Sequence, residues 1–133
     1  MTNLHTINVH VEYSTHNVQP ILHEIQHALD QLLIDGTSTH IDLMSLPFSP
    51  QEFNELLTFL GKGEVDATLH SLGDSVFWET HYAGVWVVEH YNANQELTSR
   101  HVEINWIPEM LTAYREDVQA SMEQLQSQLE NTH

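Results

Sequence analysis

The sequence predicts an α+β two-layer sandwich, a mixed five-stranded sheet with helices on one face, in the order βαβααβββα. Three observations carry this. Near the start, a segment with period-two alternation is followed by one with helical period and then by a short apolar run, the pattern of strand, helix, strand. The second half holds three stretches rich in Val, Ile, Tyr and Trp, separated at hairpin distances. The helical segments carry their apolar residues on one side, which must be buried against a second layer.

The first element spans Thr6 to Tyr13, where Ile7, Val9, Val11 and Tyr13 alternate with Asn8, His10 and Glu12. It reads as a half-buried strand within a strand-like N-terminal segment, residues 1–17. Pro20 suits the first turn of a helix running to about Ile34, with Gly36 placed to cap it. At about 100° per residue, Ile21, Leu22, Ile25, Ala28, Leu29, Leu32 and Leu33 share one arc and form the expected core face. Thr39 to Met44 reads as a second strand, joined to the first by a right-handed parallel crossover.

Ser49-Pro50-Gln51-Glu52 combines an N-cap, a proline at N1 and a glutamate at N3, a complete capping box. The helix behind it presents Phe53, Leu56, Leu57 and Leu60, and Gly61 stops it. Gly61-Lys62-Gly63 lacks the remaining glycine and the hydroxyl residue of a phosphate loop. A short helix is expected over Glu64 to Leu72, ended by Gly73. Strands follow at Val76 to His81, Val85 to Tyr91 and Leu97 to Ile107. On the last, Val102, Ile104 and Trp106 face the core while His101, Glu103 and Asn105 face water. Pro108 opens a final helix, residues 109–130, striped by Leu111, Tyr114, Val118, Met122, Leu125 and Leu129. It is expected to pack on the sheet, with its Gln- and Ser-rich far end protruding or pairing with a second copy in a homodimer.

The chain of 133 residues is read as a single domain, 1–133, with a formal charge of −16 and only three Lys and Arg residues. Nucleic acid and anionic membrane partners need clustered cations and are excluded on that ground. Without cysteine, disulfides, thiolate metal sites and thiol nucleophiles are impossible. No secretory or long apolar segment is visible, so a cytoplasmic location is expected. Eleven histidines, if all protonated, would cancel eleven of the sixteen negative charges.

One motif suggests chemistry. His23-Glu24-Ile25-Gln26-His27 is a literal H-E-x-x-H, which on a helix can bind zinc through two histidines one turn apart. The same arc that gathers the leucines turns His23 and His27 away from the core, and Asp30 and Leu33 stand where a metzincin continuation needs Gly and His. A zinc metallopeptidase is therefore the least favoured reading. A His-rich Ni- or Zn-binding protein using His23, His27 and neighbours is a stronger alternative. A hydrolase has no G-x-S-x-G elbow to rest on.

The stretches LHEIQHALDQLL, IDLMSLPFSPQEFNEL, LGKGEVDATLHSLG, WETHYAGVWVVEHYN and VEINWIPEML followed by REDV succeed one another between residues 22 and 118. In this combination the chain resembles the conserved C-terminal region of the HyaF/HupH hydrogenase expression proteins. The resemblance implies an accessory protein in [NiFe]-hydrogenase maturation, chaperone-like or scaffolding, cytoplasmic, with no catalytic activity and no cofactor. Its partners would be a hydrogenase subunit precursor or other hydrogenase maturation proteins. It places the H-E-x-x-H on an ordinary helix and implies no metal ligands. Family members are usually about twice as long, with another domain ahead of this region. The matching motifs nominate Glu64, Glu79, Thr80, Gly84, Val85, Trp86, Pro108 and Glu109 for partner contact.

Overall fold

A computed structural model describes residues 17–132. The strand expected at Thr6 to Tyr13 lies outside the described residues. Within them, helix α1 (Val18–Asp35) leads to strand β1 (Thr39–Asp42), helix α2 (Pro50–Leu60), strands β2 (Asp66–Leu69), β3 (Ser75–Glu79), β4 (Val85–Tyr91) and β5 (Leu97–Ile104), a 3-10 turn (Glu109–Leu111) and helix α3 (Arg115–Asn131). The α+β class holds, but the sheet does not form as expected. Among the described residues its order is β1-β5-β4-β3-β2, with every pairing antiparallel.

The parallel pairing expected between Thr6–Tyr13 and β1 lies outside the described residues, and the fifth described strand comes from a segment not expected to be one. Residues 64–72, expected as a helix, supply β2 instead, paired with β3 from Asp66↔Trp78 to Leu69↔Ser75. The segment has no helical stripe to bury, and its backbone groups are satisfied across the sheet. Glu79 N–H donates to the Val65 carbonyl at 2.9 Å and Gly63 N–H to the Glu79 carbonyl at 2.7 Å. Tertiary pairing overrides a weak helical preference. Among the described residues both edge strands are four residues long, which limits edge-to-edge pairing with other chains.

The local signals for α1 and α2 hold. Gly36 adopts φ +78° and donates to the Leu32 carbonyl. The Ser49–Glu52 capping box is complete in both directions. On α1, Val18, Ile21, Ile25, Ala28 and Leu32 are buried, and with Leu56, Leu60, Ile41, Leu43, Val85, Val102 and Ile104 they form the core between helices and sheet. Leu22 and Leu29 pack at its margin. Leu33, expected in the same arc, is exposed because it sits past the edge of that contact.

The C-terminal expectation fails more broadly. The predicted helix from 109 is broken at Thr112, which is extended, and α3 begins only at Arg115. No residue of α3 is buried, so its stripe of Val118, Met122, Leu125 and Leu129 packs on nothing among the described residues.

Candidate functional site

The turn from β3 to β4 is stitched together by its own side chains. Thr80 Oγ1 accepts from Tyr82 N–H at 3.1 Å, and Glu79 Oε2 accepts from Gly84 N–H at 3.3 Å. Gly84 sits at φ +86°, a conformation that favours glycine, and a Cβ there would meet Leu29 Cδ2 at 3.4 Å. Further bonds tie the turn to its neighbours: His81 N–H donates to the Leu60 carbonyl and Asn105 N–H to the Gly84 carbonyl. The result is that Tyr82 is held beside the cleft between α1 and α2. Its ring stacks on Phe59 at 6.0 Å and 8°. Together they border an apolar hollow of about 290 Å³, lined also by Leu22, Ile25, Leu29 and Leu60. Phe59 is 51% exposed and Tyr82 45%, so two aromatic rings are displayed to solvent at a rigid place.

The second face of the sheet carries a different chemistry. In the antiparallel register His40 lies opposite Glu103, and His101 opposite Asp42. The sequence reading sent His101 and Glu103 to a wet face, yet Glu103 is only 2% exposed. The segment after β5 closes over it: Glu109 N–H donates to Oε2 at 2.8 Å and Asn105 Nδ2 at 3.1 Å, while Pro108 is buried. Oε1 faces His40 Nε2 at 3.4 Å and His101 Nε2 at 3.9 Å. Trp86, the cross-strand neighbour of Glu103, is buried and its indole N–H has no hydrogen-bond partner among the described residues. His23 and His27 of the H-E-x-x-H are exposed on α1 and join no three-donor group among the described residues.

Burial pushes His101 below the usual histidine range, with His40 and His90 adding repulsion that Glu103 and Asp42 only partly offset. The unfolded chain takes up this proton near pH 6.5, the folded chain only at lower pH. The contribution of His101 to stability is therefore full above about pH 6.5 and is lost as the pH falls through the folded value. Denaturation of chelator-treated protein at pH 7.5 and 5.5 should show wild type losing more stability on acidification than His101→Asn. Equal losses would contradict this assignment.

A family model described as the C-terminal conserved region of HupH hydrogenase expression protein matches residues 15–132. The chain belongs to this family. Among curated relatives, the hydrogenase expression/formation protein HoxQ of Azotobacter vinelandii is 30% identical over 111 residues, covering 82% of this chain and 39% of HoxQ. HupH of Rhizobium leguminosarum bv. viciae is 33% identical over 106 residues, covering 79% of this chain and 37% of that protein. The chain thus spans less than two fifths of the length of either relative. A solved structure of the hydrogenase expression protein HupH from Thiobacillus denitrificans ATCC 25259 superposes with a TM-score of 0.82 at 37% identity, covering 86% of this chain and 96% of that one.

The residues nominated from the HupH-family motifs fall into two groups. Thr80, Val85, Trp86 and Pro108 are buried, so they shape the surface from beneath. Glu64 and Glu109 are exposed, and Glu79 and Gly84 half-buried. Glu79, Thr80 and Gly84 build the turn, while Glu109 closes over Glu103 through its backbone. Tyr82 and Phe59 escaped the sequence reading. Phe59 left one trace, as a large apolar residue on α2 outside the Phe53, Leu56, Leu57, Leu60 stripe.

Proposed function

We propose that this chain acts without catalysis as a chaperone-like or scaffolding factor in [NiFe]-hydrogenase maturation, holding a hydrogenase subunit precursor in the cytoplasm. Membership of the HupH family supports the pathway. The hollow framed by Phe59 and Tyr82 is the observation that carries the mode of action, because paired exposed aromatics beside an apolar recess are the usual anchors of a protein interface. The strongly negative charge favours a basic rim on the partner and speeds encounter with it. Within the described residues no helix is long and apolar enough to cross a membrane.

The test is capture of hydrogenase subunit precursors by the tagged chain from cells that make them. A Phe59→Ala/Tyr82→Ala double variant should keep its fold, since both rings are half in solvent. Each anchor is worth about 1–2 kcal/mol, so affinity for the captured subunit should fall at least ~10-fold. Trp86→Ala is the wrong probe, because it would open a cavity in the sheet. Undiminished capture by the folded double variant would remove the hollow from the mechanism. Failure of wild type to capture any subunit would remove the mechanism itself.

A further inference from the structure

We propose that His40, His101 and Glu103 form a binding site for one divalent transition-metal ion of the zinc class. One ligand atom from each of the three lies within 4.8 Å of the other two, and both histidines turn Nε2 toward Glu103 Oε1. Two imidazoles and one carboxylate make a donor set that suits zinc and its borderline neighbours and leaves a fourth position for water or a ligand.

The competing reading is an ion pair in which protonated histidines neutralise the carboxylate. The distances argue against it. A charge-assisted N–H···O bond closes to about 2.7–2.9 Å, whereas these pairs stand at 3.4 and 3.9 Å. A tetrahedral centre with bonds of about 2.0–2.1 Å has donor–donor edges of roughly 3.4 Å, the separation at which His40 Nε2 and Glu103 Oε1 already stand, and His101 Nε2 would close on Oε1 from 3.9 Å.

The carboxylate is also prepared for such a role. Its second oxygen is fixed by the Asn105 amide and the Glu109 N–H, which aims Oε1 at the histidines in the way outer partners orient metal ligands. Among the described residues no lysine or arginine pairs with it. Arg100 binds Glu89 on the other face, and Lys62 lies over Trp78. A carboxylate 98% removed from solvent with only neutral or protonatable imidazoles beside it calls for a cation. The route in is the edge of the sheet, where the His40 side chain is 46% exposed. The site is independent of the hollow at Phe59 and Tyr82, and its failure would leave the hydrogenase reading untouched.

The chelator-treated 133-residue chain, titrated calorimetrically with Zn²⁺ and optically with Co²⁺, tests this. One saturable equivalent is expected, with the intense visible absorption of four- or five-coordinate Co²⁺ and no displacement by millimolar Mg²⁺. His40→Ala, at a half-exposed edge position, should stay folded by circular dichroism and weaken Zn²⁺ binding by ~100-fold or more, beyond what loss of an outer partner gives. Glu103→Gln should bind worse still. A His23→Ala/His27→Ala variant should bind as wild type. The proposal is overturned by absence of saturable binding at one equivalent or by unchanged binding in folded His40→Ala. Loss of binding in the helix double variant, or displacement by Mg²⁺, would overturn it equally. Should Glu103→Gln fail to fold, His40→Ala and the stoichiometry decide.

Discussion

Arg100→Ala is expected to lower the unfolding free energy by about 3 kcal/mol, the lower end of the range for breaking a buried ion pair. Glu89 lies 7% exposed in the middle of β4, and both Nε and Nη2 of Arg100 reach its Oε2, while the Tyr91 hydroxyl donates to Oε1 at 3.1 Å. Arg100 also lies over the Phe53 ring, 5.9 Å from its centroid, so the substitution removes packing as well as charge. What makes the loss large is the carboxylate left behind without its cation. Among the described residues its remaining hydrogen bond comes from the neutral Tyr91 hydroxyl, which does not replace a guanidinium. Replacing both partners, as Glu89→Leu with Arg100→Met, should recover most of the loss, since an apolar pair of similar volume leaves no uncompensated charge. Urea midpoints of the single and double variants check the claim. A double variant no more stable than Arg100→Ala would contradict it.

Gly73→Ala is expected to cost more than 2 kcal/mol, an overpacking loss toward the upper end of the usual ~1–3 kcal/mol. A Cβ at this position would sit 1.8 Å from the Tyr91 carbonyl oxygen and 2.8 Å from the Asn92 carbonyl carbon. These are backbone atoms, at the place where the β4–β5 register shifts between His90 and Tyr91, so no side-chain rotation relieves the contact. Elsewhere, Gly→Ala at a tolerant position gains roughly 0.4–1 kcal/mol by restricting the unfolded chain, and here the collision reverses the sign. Gly36→Ala is the comparison: nothing lies within 4 Å of its Cβ, and only the left-handed backbone at φ +78° resists, which costs roughly 1–2 kcal/mol. Thermal and urea unfolding of both variants should rank Gly73→Ala as the more damaging. The reverse order would show that strand β4 yields where the structure holds it rigid.

What could be read from sequence was what is local. The capping box at Ser49, the Gly36 cap and the limits of β4 each follow from residues adjacent in the chain, and each appears where expected. β2 was hidden because its four residues become a strand only through β3 beside them. The burial of Glu103 was hidden for a similar reason. Alternation places it on one side of β5, but only the fold brings residues 105–109 back over that side. The histidine donors show the same limit. His40-Ile41-Asp42 and His101-Val102-Glu103 are plain in the sequence as paired alternations. Their antiparallel register, which puts each imidazole opposite the other strand's carboxylate, is not. The eye-catching H-E-x-x-H is a local pattern on the solvent side of α1. The hollow was legible only in part: Gly84 and Thr80 marked the turn, whereas the aromatic pair it displays depends on how α2 meets it.

The strand order also sets a sequence of events in time. β2 to β5 form a meander in which each strand pairs with its neighbour in the chain, so these contacts are short-range and quick to make. Among the described residues β1 pairs with β5 alone, and Thr39 meets Ile104 only after the whole intervening chain has been looped back. That seam is expected to close last and, as a four-residue edge among the described residues, to part first when the chain loosens, which hydrogen exchange of β1 against β4 would check. His40 stands on one side of it and Glu103 on the other. The donor group therefore spans the longest-range pairing of the described sheet, and is expected only in a chain that has completed it.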